Sequence, residues 1–243
     1  GGGISILSTA LLSNADFVTG AFAAEYGNAL SGVFDLKLRK GNNEKREYNL
    51  QAGVLGLNVA AEGPFKKGGK SSFLINYRYS TLGLLDKLGV NVGTGSTNFQ
   101  DLAYNFYFLI RKAGTFTLFG FAGRSSQNAT AEKDSSKWEE EGDRYGWMFK
   151  SNTYLKAGTH QINVGNKTML RSSVAWSKFG TISSTNYSAD DGKELLVYEE
   201  DNFTKKITAN STLNHRFNNK NTLRAGVIVN FIDFDYFQKE RAN

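Results

Sequence analysis

Residues 23–41 read AAEYGNALSGVFDLKLRKG (Ala23–Gly41), and the change of character across them decides the fold. Gly27 and Asn28 supply a bend, because both tolerate positive φ. Ser31 and Gly32 are small enough to let another backbone approach closely. Val33 to Leu38 then alternate, which predicts a short strand with a mixed face. That strand closes on the basic run Arg39-Lys40-Gly41-Asn42. Upstream, Ile4, Ile6, Leu7, Leu11 and Leu12 recur at roughly helical spacing, which predicts a turn that Ser13-Asn14 ends. A short strand is expected from Phe17-Val18, bent by Gly20. Downstream the chain becomes regular.

From Glu47 on, long stretches alternate. Tyr48–Leu57 and Asn58–Phe65 read as an outgoing and a returning strand, the second ended by Pro64. Ser71–Ser80 puts Phe73, Ile75, Tyr77 and Tyr79 on one face and Leu74, Asn76 and Arg78 on the other. Leu102, Tyr104, Phe106, Phe108 and Ile110 share a face against Ala103, Asn105 and Tyr107. Thr115–Ser125 returns with a less clean division. Further strands start near Tyr145, Leu170, Phe203 and Thr222. Several exceed ten residues, against five or six in ordinary soluble sheets. Short turns are expected at Lys67, Ala113, Gly165 and Asn219. They alternate with long loops over 81–98, 126–143 and 183–200.

The bulk numbers fit this pattern. The 243 residues contain 26 Gly and 1 Pro, a balance that serves turns without breaking ladders. Cysteine is absent, so the chain has neither a disulfide framework nor thiolate chemistry. His160 and His215 stand far apart without metal-ligand spacing. The net charge of +6 is spread over turns and alternating faces; it forms no basic stripe of the kind nucleic acid requires. No run of 18 apolar residues exists, and a mean hydropathy of −0.40 is compatible with a membrane barrel, whose strands alternate.

No constellation of residues reads as catalytic, so a non-enzymatic protein without cofactor or bound metal is expected. Glu139-Glu140-Glu141 belongs to a loop, and Asp190-Asp191-Gly192 lacks the further oxygen ligands of a calcium loop. Gly1-Gly2-Gly3 is not followed by the residues of a phosphate cradle. Asn128-Ala129-Thr130 matches a glycosylation sequon that a bacterial context leaves inert.

The pair Tyr26-Gly27, the step Ser31-Gly32-Val33 and the strand closing on Lys40-Gly41 resemble the end of the plug domain of TonB-dependent outer-membrane receptors. The likeness runs from about Asn14 to Phe65, and in the style of its plug end and long loops it is most similar to receptors of Bacteroidetes. It implies an all-β chain in two parts. Residues 1–41 would be the C-terminal part of a plug, with Tyr26, Gly27, Ser31 and Gly32 as its motif. Residues 42–243 would be the first strands, about nine, of a large antiparallel transmembrane β-barrel. It further implies a Gram-negative outer membrane and TonB-energised uptake of a scarce extracellular ligand (an oligosaccharide, a peptide or a metal chelate), with or without a surface lipoprotein. In the family the TonB-binding segment precedes the plug end and has no counterpart here. The chain is therefore expected to be a piece of a longer one, its edge strands open. A passive porin, a small adhesin-type barrel and a soluble all-β binding module are the alternatives.

The alternation assigns faces. Ile75, Tyr77, Phe106, Phe108, Ile207, Leu213, Val227 and Val229 are expected outward, toward lipid. Arg78, Asn105, Arg171, Asn210 and Arg224 are expected inward. Tyr26 to Gly32 should lie against inward polar side chains, with Arg39 to Glu44 crossing into the wall. Aromatic pairs near strand ends (Tyr77 and Tyr79, Tyr145 and Trp147, Trp176 and Phe179, Phe203 and Phe217) would form interfacial girdles.

Overall fold

The computed structural model describes residues 11–20, 26–27, 31–53, 56–82, 98–190 and 192–241. The expected turn over Ile4 to Leu7 and most of the loop at 81–98 lie outside them. Two antiparallel sheets are present. The smaller pairs β1 (Leu12–Val18) with β2 (Val33–Leu38). The larger is a nine-stranded meander in which every strand pairs with its sequence neighbour and the two outermost strands do not meet. Its strands are β3 (Glu47–Gly53), β4 (Gly56–Pro64), β5 (Ser72–Tyr79), β6 (Asn98–Ile110) and β7 (Gly114–Ala129). They continue as β8 (Tyr145–Val164), β9 (Thr168–Ser188), β10 (Glu194–Arg216) and β11 (Thr222–Glu240).

Antiparallel partners share a face, so the register extends each strand's alternation across the sheet. Ile75 faces Tyr104, Tyr104 faces Gly120, and Gly120 faces Lys156. The row continues through Trp176 and Ile207 to Phe231. The next row toward the short turns joins Phe73, Phe106, Leu118, Gly158, Val174, Ala209 and Val229. All eight residues expected outward fall on this apolar face. The opposite face carries Arg78 and Asp101, then Asn105, and farther on Gln161, Arg171 and Thr212, with Ser173 beside Asn210 and Asn214 beside Arg224. The expected partition into two faces therefore holds for these named residues, while on β8 the face carrying Lys150, Asn152 and Lys156 is the apolar one and the face carrying Tyr145, Trp147 and Leu155 is the polar one.

Four expectations are corrected. Ser13 and Asn14 do not end a turn; they lie inside β1, where Asn14 pairs with Lys37. The first hairpin reverses between Gly53 and Gly56, which pair with each other, so Leu57 already belongs to the returning strand. β7 runs to Ala129, past Ser125. The expected loop over 183–200 shrinks to 189–193, because Tyr187 pairs with Leu195 and Ser183 with Glu200. Polar residues there alternate with aromatic and β-branched ones, and ladder bonds to a long neighbour hold them in strands. Tyr145, Trp147 and Phe179 also lie on the polar face, since Tyr145 pairs with Tyr187 and Phe179 with Thr204. Tyr77, Tyr79, Trp176 and Phe203 stay on the apolar one.

Burial concentrates where the N-terminal segment lies on the polar face of β4–β6. Leu11, Leu74 and Ala103 form the buried cluster, with Leu38 and Phe121 packed against it. This accounts for the poor division of β7: Phe121 is on the polar face, but it packs against that apolar cluster, opposite Ala103.

Candidate functional site

The join between hairpin and sheet is the most elaborate constellation among the described residues. β2 ends at Leu38, and the chain then runs across the polar face of β4–β6 before entering β3. The Arg39 backbone N–H donates to the Leu11 carbonyl at 2.8 Å, closing the hairpin. The Arg39 guanidinium grips Glu62 with both terminal nitrogens, Nη1 to Oε2 and Nη2 to Oε1, each at 2.7 Å. Such a fork is among the stronger charge-assisted pairs, because both parallel bonds are directional. The Asn42 backbone N–H adds a third bond to Glu62 Oε2 at 2.8 Å. Asn42 also closes its own turn, its Oδ1 accepting from Glu44 N–H at 2.8 Å and its Nδ2 donating to Glu47 at 3.0 Å.

Two glycines make the close approach possible. An ideal Cβ on Gly41 would stand 2.0 Å from the Phe73 carbonyl oxygen, a distance no side chain tolerates. An ideal Cβ on Gly63 would stand 2.6 Å from Arg46 Cγ. The segment therefore lies flush on the sheet backbone. Asn105 Nδ2 donates to the Arg39 carbonyl at 2.8 Å, and Lys40 Nζ sits 3.8 Å from the centre of the Tyr107 ring. Asn76, 2% exposed, donates to Asn58 Oδ1 at 2.6 Å. Beside it Arg78 donates to Asp101 at 2.6 Å. This end of the polar face is thus desolvated and hydrogen-bonded into a network.

Chemically the arrangement is an anchor. It offers no nucleophile with an adjacent base, and no group of three or more His, Asp or Glu suited to a metal stands among the described residues. His160 Nε2 lies 2.7 Å from the Ala113 carbonyl and its ring stacks on Phe116; His215 Nδ1 lies 2.8 Å from Thr168 Oγ1. Both histidines serve the sheet near its short turns.

Comparison with protein-family models, with curated proteins and with solved structures returns no match for the chain. The geometry and the sequence pattern carry the functional argument.

The four motif residues lie in the connection between β1 and β2, where 28–30 are outside the described residues. The Tyr26 hydroxyl donates to Asp35 Oδ2 at 3.4 Å. Gly32 leaves room for Phe17, whose Cε2 would stand 3.0 Å from a Cβ there; Phe17 in turn stacks on Phe34 at 4.4 Å. Gly27 and Ser31 are exposed. These residues shape the hairpin, and the join to the sheet is made at 38–42. The sequence reading placed the crossing at Arg39 to Glu44 but named none of its partners. Glu62, Asn105 and Gly63 are far away in sequence. The legible signal is Glu62 itself, a lone acid in the small, apolar strand NVAAEGP.

A second constellation fixes the connection between β7 and β8. Arg144 lies over the rings of Trp138 and Tyr187 at 4.6 and 4.5 Å. It donates to the Ser188 carbonyl at 3.2 Å and to Asp190 at 2.7 Å. Asp143 accepts from the backbone N–H groups of Glu140 and Glu139, which hold its carboxyl below the usual aspartate range. One arginine thus ties this connection to the one after β9, so both are held as a ledge beyond the sheet's end.

Proposed function

We propose that this chain is the plug end and the first nine wall strands of a TonB-dependent outer-membrane receptor, a non-catalytic importer of a scarce extracellular ligand. The observation that carries the reading is a single combination: a meander with one apolar face, whose polar face holds the N-terminal hairpin by a half-buried anchor. In a soluble sheet with two such faces, the apolar one would be expected to meet a core. Here Val174, Val227 and Phe231 are 59, 60 and 68% exposed on it, and lipid would cover them.

Strand lengths support the same reading. β8–β11 contain 20, 21, 23 and 19 residues. At ~3.3 Å per residue, twenty residues reach ~65 Å. A tilt near 45° leaves ~45 Å along the membrane normal, more than the ~30 Å hydrocarbon core. The apolar rows are bounded accordingly. Beyond Tyr154 the same face carries Asn152, Lys150 and Arg124, while Phe65, Phe108 and Phe116 gather near the short turns. In the proposed orientation the turns at 111–113, 165–167 and 217–221 are periplasmic, and the connections at 130–144 and 189–193 face outside. Edge strands β3 and β11 would pair with later strands of a longer natural chain, since only a closed wall satisfies its backbone in lipid. The hairpin would then be the part of the plug nearest the wall, inside the lumen, and TonB would act through a segment preceding it.

The test is nitroxide labelling of single cysteines at Val227 and Asn210 in the full natural chain, in outer membranes. A lipid-soluble quencher is expected to reach Val227 and an aqueous one Asn210. The reverse result would remove the barrel reading and favour a soluble all-β module.

A further inference from the structure

We propose that the apolar face, at its border beyond the lipid belt, carries a binding site for a phosphorylated glycolipid of the outer leaflet. The inference rests on the membrane reading above, since it needs that face turned to lipid. Three cations stand there on three adjacent strands: Arg124 on β7, Lys150 on β8 and Lys178 on β9; Lys156 lies one row farther toward the turns, beside Trp176. The register places them together. Arg124 is opposite Asn152, Ser126 is opposite Lys150, and Tyr154 is opposite Lys178. Arg124 and Lys150 are thus diagonal neighbours across one strand pair, roughly 7–8 Å apart, a gap that one phosphate between the two side chains can bridge. Among the described residues, the acids of this face lie on β10 and β11, where Asp233 pairs with Lys205 at 3.2 Å.

The surroundings favour a sugar phosphate attached to acyl chains. The Tyr154 hydroxyl accepts from Arg124 Nε at 3.0 Å, which aims the guanidinium with one of its five N–H donors and leaves its fork to a ligand. An open groove of about 530 Å³ runs beside it, lined on this face by Tyr79, Gln100, Arg124, Ser126, Lys150 and Asn152. A second of about 370 Å³ continues past Lys150 along Asn128, Ser184, Asn186 and Glu194, whose carboxylate is paired with Lys133 at 3.4 Å. Hydroxyls, amides and an aromatic ring around two cations match the chemistry of a phosphorylated sugar. Toward the turns, Tyr154 and Ala122 lead directly into the rows of Trp176, Val174 and Leu118, where acyl chains would lie. A free phosphate would have no use for that continuity, and an extended polyanion would need the cations to run on as a stripe.

The experiment measures retention of phosphorylated lipid A by the full natural chain in detergent, read by native mass spectrometry. Arg124→Gln combined with Lys150→Gln is expected to weaken retention roughly tenfold, the loss of one bridged phosphate. Lys150→Arg should retain binding, since the charge stays. Arg171→Gln, on the opposite face, should leave it unchanged. Lipid A stripped of phosphate should bind as weakly to wild type as the intact lipid does to the double variant. Unchanged retention in the double variant, an equal loss in Arg171→Gln, or displacement of the lipid by inorganic phosphate would each overturn the proposal. The nitroxide at Val227 separates the two failures. If that label is lipid-exposed and retention is still unchanged, only the glycolipid site falls; if it is in water, the membrane reading falls with it.

Discussion

The two ends of the large sheet carry the same alternation and meet different fates. On the polar face of β5, Leu74 is 0% exposed and Asn76 2%: the two ends of the N-terminal hairpin, Leu11 and Leu38, pack on Leu74, and Asn76 is bonded to Asn58. At the other end every residue of β11 is exposed, including Ile228 on the same face at 47%. Alternation sets which way a side chain points, and what lies on that face sets whether it is buried. The covered end therefore stores its stability in close approach and charge pairing, and the uncovered end chiefly in ladder bonds, with exposed side-chain pairs such as Lys205–Asp233 beside them.

The comparison can be broken most strongly at Gly41. Gly41→Val should cost more than about 3 kcal/mol, since its Cβ would meet backbone and nothing flexible can yield. At the β8–β9 turn, Gly165→Ala meets open space and strains only the positive φ of 64°, for about 1–2 kcal/mol. Denaturation followed by hairpin proteolysis would distinguish them: Gly41→Val should release the hairpin, while Gly165→Ala should leave it protected. Next in size, Leu74→Ala should cost about 3 kcal/mol through lost burial and a cavity, against under about 1 kcal/mol for Ile228→Ala in the isolated sheet. Equal costs would show that β11 is as well covered as β5.

A smaller contrast concerns the charge pairs. Glu62→Gln should cost about 2 kcal/mol, because it takes a carboxylate from three donors while Arg39 stays one-third exposed. Asp233→Asn, at the exposed pair with Lys205, should stay within about 0.5 kcal/mol. A double-mutant cycle over Arg39 and Glu62 would read the coupling directly. The smallest effect is a pH dependence at the 130–144 connection. The folded carboxyl of Asp143 titrates below its unfolded value, so its contribution is complete above the ordinary aspartate range, about pH 4. That contribution is lost as pH falls through the lowered folded value. Trp138 fluorescence should report release only in that acid window, and Asp143→Asn should abolish the transition.

By itself the sequence was enough for the two-faced meander. Alternation needs only the period of two that every strand obeys, so the sorting of Ile75, Phe106, Val229, Arg171 and Asn210 was legible residue by residue. The strand count and the positions of the short turns were legible for the same local reason. The strand ends were not. Ser183 to Tyr187 and Leu195 to Glu200 look like a polar loop until a long neighbour offers them ladder bonds. The faces of Tyr145, Trp147 and Phe179 also had to wait for the register, because alternation groups residues without saying which face of the sheet a group joins. Of the anchor, only the crossing at Arg39 was visible. Its partners Glu62 and Asn105 are 23 and 66 residues away, and only tertiary structure decides which acid meets which arginine and which glycine must lack a side chain. Contacts of that range leave no period in the chain, since they depend on where the hairpin comes to rest on the sheet.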